Sequence, residues 1–345
     1  MIRRTSEITI TMIATAVGLF AFQATARSSN SSNFQAVESA DVIVTGFVTD
    51  VSEIRRSTLT LRGGAVVESQ IMQAHVQVDR VLKGDVPDRK LTVRFEVPLR
   101  ESFGYRGLEA SSYRIVFLNK PHTTDPYYRL AVPLFPSLPA LREGAAPGAT
   151  VEDSVIAEVA KVIASPVAGW QERREAMFSL QFLPGTMIID ALKAALLDPD
   201  ARVSNFAAAS LLLHNDITGM GTAERLLLGE SHGQLREDDR SNLLAGITYG
   251  IHSAQAVDPL KHLLESPDAE IRKAAASGLG NTGALIAKPL LVKALDDPDP
   301  HVRFAASNGL ANLLGEPTWR QLSFNEFAKA ERQYIQHWKN PVPSP

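Results

Sequence analysis

The chain has 345 residues, 45% apolar and 21% charged, with a net charge of −3 and no cysteine. That length gives room for about two globular domains. The composition excludes a disordered chain, and the missing cysteine excludes disulfides, thiolate metal sites and a cysteine nucleophile.

The first 26 residues read as a secretory signal peptide. "MIRR" is basic, Ile8 to Ala26 carries no charge, "IATAVGLFAF" is apolar, and Ala24–Ala26 offers small residues at a cleavage position before the polar "RSSNSSN". An uncleaved N-terminal membrane anchor is the rival reading of the same run. Export of a cysteine-free chain points to a periplasmic or secreted location.

Residues 34–132 read as a β-domain. "ADVIVTGFVTDV" (Ala40–Val51) and "SQIMQAHVQVDRVL" (Ser69–Leu82) alternate. "KLTVRFEV" (Lys90–Val97) puts Leu91, Val93, Phe95 and Val97 on one face and Thr92, Arg94 and Glu96 on the other, the pattern of a half-buried strand. "YRIVFL" (Tyr113–Leu118) has the apolar run of a central strand, and "YYRLAV" (Tyr127–Val132) completes the set. Gly63-Gly64, "KGDVPDR" and "NKPHTTDP" supply the turns. Five strands without an intervening helix predict a small antiparallel barrel or sandwich. The succession "ADVIVTGFVTDV", "VQVDRVLKGDVP", "LTVRF", "YRIVFL" resembles the OB-like barrel of the netrin and tissue-inhibitor-of-metalloproteinases superfamily. The inhibitors of that superfamily use an N-terminal cysteine, which this chain lacks, so their activity does not carry over.

Pro133, Pro136, Pro139 and Pro147 mark residues 133–149 as a Pro-rich linker. Leu134, Phe135 and Leu138 are apolar enough to dock on a domain, or on a partner.

After Thr150 the pattern becomes helical and repeats. "DPDARVSNFAAASLL" (Asp198–Leu212), "SPDAEIRKAAASGLG" (Ser266–Gly280) and "DPDPHVRFAASNGLA" (Asp297–Ala311) align without gaps. A degenerate copy spans Gln234–Thr248, and an earlier one places Pro166 33 residues before Pro199. Five helix pairs over residues 150–316 follow, then a C-terminal helix and tail, 317–345. Asp200, Asp268 and Asp299 stand where an N-cap must accept free N–H groups, and Pro300 takes the first helical position. Val203, Ile271 and Val302 with Leu211, Leu279 and Leu310 form one apolar seam. The rhythm resembles the HEAT-like repeats of the phycobilin-lyase type. That resemblance implies an α-solenoid whose second helices line a concave binding face. The predicted fold is therefore α+β and multidomain, an OB-like barrel followed by a HEAT-like α-solenoid.

Gly278, Gly280 and Gly283 spell a dinucleotide fingerprint, but no strand precedes them, so Gly280 is expected to end a helix instead. "LDDPDP" (Leu295–Pro300) lacks the ligand spacing of a calcium loop. The eight histidines (75, 122, 214, 232, 252, 262, 301 and 337) show no metal-binding spacing, and no nucleophile elbow exists. Charge is uneven: Arg27–Thr150 holds 15 basic and 13 acidic residues, and Val151 onward 18 and 24. Neither half has the basic stripe that nucleic acid requires. Arg240, Arg272 and Arg303 recur at one register. They either form a ladder for acidic groups of a partner or, as expected for an arginine common to such repeats, pair inside the fold. The sequence is thus read as an exported, non-enzymatic protein-binding scaffold without cofactor or metal. The alternative is a small-ligand binder or lyase-like enzyme with a pocket at the barrel–solenoid junction, where the loop Pro98–Ser112 brings Phe103, Tyr105 and Arg106.

Overall fold

The computed structural model describes residues 32–60, 64–99, 107–132, 137–181, 183–229, 235–321 and 323–340. The signal segment and the loop residues Phe103, Tyr105 and Arg106 lie outside these. The chain divides into two compact units, Met1–Leu138 with Pro147–Val155, and Pro139–Ala146 with Ile156–Pro345.

The first unit is mostly sheet. A short helix α1 (Ser32–Ser39), not foreseen from the sequence, precedes β1 (Val42–Thr60), β2 (Val66–Lys83), β3 (Lys90–Pro98), β4 (Ser112–Asn119), β5 (Tyr128–Leu130) and β6 (Ser137–Pro139). β1 pairs antiparallel with β2 along its length and with β4 over Val42–Val48. β2 pairs antiparallel with β3. β5 joins β3 in parallel and β4 antiparallel. The pairings therefore return to the strand they start from.

The alternation read in β3 holds: Leu91, Val93 and Phe95 are buried with Val42, Val44, Val76, Val78, Val116 and Leu118 in one apolar cluster. β1 runs nine residues beyond the expected end at Val51, and β2 starts before Ser69. The extension is exposed on both faces, so it lacks the alternation that reveals a strand. The proline-rich stretch is not all linker. Ser137–Pro139 lie beside β4 as an edge strand, where a proline is tolerated, and Leu138 is buried. Leu134 and Phe135 lie outside the described residues.

Among the described residues eleven α-helices follow: α2 (Val151–Ala164), α3 (Trp170–Leu180), α4 (Thr186–Leu196), α5 (Ala201–Leu213), α6 (Met220–Leu228), α7 (Glu237–Ala245), α8 (Val257–Leu263), α9 (Ala269–Asn281), α10 (Lys288–Ala294), α11 (Pro300–Leu314) and α12 (Phe324–Lys339). A π-helical turn, Gly246–Gly250, extends α7. The odd-numbered helices α3 to α11 are the second members of successive pairs and pack side by side, with α12 against α11. The alanines read as close-approach residues, 207–209, 274–276 and 305–306, are buried along this layer.

Candidate binding face on the second helices

The starts of α5, α9 and α11 are fixed as their sequences demand. The carboxylate of Asp200 accepts from the Arg202 N–H at 2.9 Å, that of Asp268 from the Glu270 N–H at 2.8 Å, and that of Asp299 from the His301 N–H at 2.8 Å. These bonds satisfy donors that a helix leaves free in its first turn.

Four residues past the N-cap stands the recurring arginine. Arg240 Nη2 meets Asp268 Oδ2 at 2.6 Å. Arg272 grips both oxygens of Asp297, at 2.7 and 2.9 Å, and its Nη1 donates to the carbonyls of Ser266 and Pro267. Arg303 pairs with Glu331 of α12 and donates to the carbonyls of Asp297 and Pro298. The three arginines of the repeated register are thus held by carboxylates of the next pair or, for Arg303, of α12, and each forms a rung between neighbours.

The sequence reading missed a fourth rung. Arg173, also four past its N-cap, meets Asp198 at 2.6 Å, with side chains only 6% and 11% exposed, and Nε donates to the Ile163 carbonyl. Its N-cap is Gly169 and not aspartate, which hid the register. In α5 the same position is Ser204, so the series breaks between the second and third pairs. The carboxylates are missing there too, because Gln234 and Arg236 stand where Asp297 and Asp299 stand in the fifth pair.

A charged and aromatic cluster occupies that break. Arg202 lies over the Trp170 ring at 4.4 Å and Arg236 at 5.7 Å. Arg202 is forked onto its own N-cap, Asp200, whose carboxyl it holds down at about 2. Arg236 and Arg174 both reach Asp238 Oδ2, at 3.0 Å. Arg174 also faces Asp239, whose side chain is 1% exposed and whose pKa is raised by burial.

At the second, fifth, ninth and thirteenth residues past the N-cap, the described residues of α3, of α7 with its following turn, of α9 and of α11 are at least partly exposed, whereas in α5 Asn205 and Ala209 are buried. Phe178, 47% exposed, and Tyr249, 36% exposed, stand on this stripe. Asn312 Nδ2 donates to Asn281 Oδ1, and Asn281 Nδ2 to the Thr248 carbonyl, so an amide chain links three successive pairs.

Gly280 is the next-to-last residue of α9, at the close of the helix, and a Cβ there would fall 2.2 Å from Gly309 Cα of α11. The left-handed residue that turns the chain is Gly283, at φ +66°.

The histidines are dispersed. His75 pairs with Asp50, His262 with Glu224 and His337 with Glu316, while burial lowers the pKa of His214. Among the described residues no three His, Asp or Glu side chains are placed to hold a metal, and no helix is long and apolar enough to cross a membrane.

The family profile of HEAT repeats matches residues 257–321, and the helical part is HEAT-like. No curated protein matches the chain in sequence. Among solved structures, the complex of CpcE and CpcF of phycocyanin lyase from Nostoc sp. PCC7120 is 20% identical. The match covers 56% of this chain and 78% of that one, with a TM-score of 0.35. An engineered protein is 22% identical over 52% of this chain and 96% of its own, with a TM-score of 0.34. Human deoxyhypusine hydroxylase, in complex with glycerol, is 17% identical over 54% and 75%, with a TM-score of 0.25.

Proposed function

We propose that this is an exported, non-enzymatic scaffold that binds a protein partner on the exposed side of its second helices. The observation that carries the reading is the placement of aromatic side chains there. Phe178 and Tyr249 stand exposed on the solvent stripe of α3 and of the turn after α7, and Trp170 lies near the helix starts with Arg202 and Arg236. Aromatic residues and arginine are the usual energetic anchors of protein interfaces. The rung arginines Arg240, Arg272 and Arg303 serve this face indirectly: they fix the spacing of the helices that present it.

The test is crosslinking and affinity capture of the mature protein in its native envelope, comparing the wild type with F178A/Y249A. A defined protein captured by the first and lost from the second is the expected result. Failure to capture any specific protein, together with a defined small molecule that raises the melting temperature, overturns the reading. Export is tested separately by sequencing the mature N-terminus, which is expected to follow Ala26.

The sheet unit is read as a small OB-like barrel of the netrin and metalloproteinase-inhibitor type. The support is the cycle of pairings in which β1 meets both β2 and β4 and β5 bridges β3 and β4.

A further inference from the structure

The break in the rung series falls where two other features meet. The C-terminal half of α5 and the end of α7 are in very close contact. A Cβ on Gly250 would lie 2.1 Å from the Leu212 carbonyl oxygen, and one on Gly246 2.9 Å from Leu212 Cβ. Ala208, Ala209 and Leu212 of this half belong to the same apolar cluster as Leu243 and Ile247. At the N-terminal ends of the two helices the link is polar. Arg174 of α3 reaches past α5, at 4.8 Å from the Phe206 ring, to Asp238 and Asp239 of α7. Asn205 of α5 donates to Asp239. The Arg174–Asp239 contact, 3.2 Å long, is buried, yet neither Nη1 nor Oδ1 makes a well-directed hydrogen bond. Such a pair holds its helices by charge attraction and lacks the forked geometry that makes the Arg272 rung strong.

We propose that the helical unit flexes at the junction of α5 and α7, pivoting on the glycine contact at their C-terminal ends, with Arg174 and Asp239 as the latch at the other. Every other neighbouring pair is pinned at this end by its own rung; here Ser204 and Arg236 remove both halves of one. The latch spans three successive second helices, so its release frees α3 and α5 together from α7. The motion splays the face that carries Trp170 and leaves α9, α11 and α12 as a block, to which α7 stays joined by the Arg240–Asp268 rung.

The cysteine-free chain permits a direct test in the full-length protein. Spin labels on Q171C and E237C, both exposed positions at the starts of α3 and α7, report the splay. The R174Q change should add a longer-distance population. It should also speed amide exchange across Glu237–Leu243 by about tenfold, with Ala269–Asn281 changing by less than about twofold. D239N, which keeps the side-chain shape, should give the same pattern and stands in if R174Q does not fold. D297N, which removes an ordinary rung, should leave the label distance unchanged. Unchanged distance and exchange in a folded R174Q or D239N protein overturns the proposal. So does equal acceleration throughout α9 and α11, or the same opening at the Q171C–E237C pair in D297N.

Discussion

Arg272 donates to both oxygens of Asp297 and to two carbonyls of the turn before its own helix, so one side chain joins two pairs and closes a loop. Its side chain and that of Asp297 are only 13% and 11% exposed. R272Q, which strands a buried carboxylate, should lower stability by about 3 kcal/mol in urea unfolding. R240Q should cost about 1 kcal/mol, because the Arg240–Asp268 pair is wetter and makes one close contact. Asp200 gives a pH signature. Its folded pKa, about 2 against 3.8, means that its ionised form stabilises the fold above pH 3.8, and the contribution is lost as pH falls through about 2. The melting-temperature gap between wild type and D200N should therefore be full at pH 5 and close between about pH 4 and 2. The capping aspartates were legible in the sequence because a cap acts on its own helix. The rungs were legible only as a register: a repeated arginine shows where it starts, not which carboxylate 25 or 28 residues on will meet it.

At the scale of elements, the glycines of α9 and α11 decide how closely two helices lie. Alanine favours a helix over glycine by about 0.5–1 kcal/mol, but overpacking costs about 1–3 kcal/mol. At Gly280 the added methyl would meet Gly309 backbone at 2.2 Å, so packing wins and G280A should be destabilising by about 2 kcal/mol. At Gly309 the nearest atoms are 3.1 Å away and one is a leucine methyl, so propensity offsets crowding and G309A should be close to neutral, within about 0.5 kcal/mol. Chemical denaturation of the two variants side by side checks the order. The sequence pointed to this stretch as a helix end because Gly280 and Asn281 are both residues that stop helices. The helix does end there, at Asn281; the left-handed turn beyond it is Gly283, and Gly280 itself serves a neighbour that sequence periodicity does not display. The outer half of β1 escaped for the opposite reason: "SEIRRSTLT" has no apolar face because neither side of it is covered.

At the scale of the whole molecule, α12 finishes a stack that would otherwise end on an open apolar face. Trp338 is 4% exposed, and its Nε1 donates to Ser307 Oγ of α11 at 2.9 Å. W338A should cost about 3–5 kcal/mol, while W338F, which keeps most of the bulk, should cost about 1–2 kcal/mol for the lost bond. Dye binding to newly exposed apolar surface should rise for W338A alone. The order of sheet then helical repeats was readable, since strand alternation and a recurring DPD turn are both local signals; α1 and β6 were not, being too short for periodicity. The cycle of strand pairings has a kinetic consequence. β1 must meet β4 before the cycle can form, and the bond from the Lys120 N–H to Asp41 bridges 79 residues, whereas the rungs bridge 25 to 28. Chain closure over the longer separation is slower. The sheet cycle should therefore close after the helical rungs form: the hairpins β1–β2 and β2–β3 need only chain neighbours, whereas closure waits on β4 reaching β1 and on three residues, Tyr128–Leu130, that bridge β3 to β4.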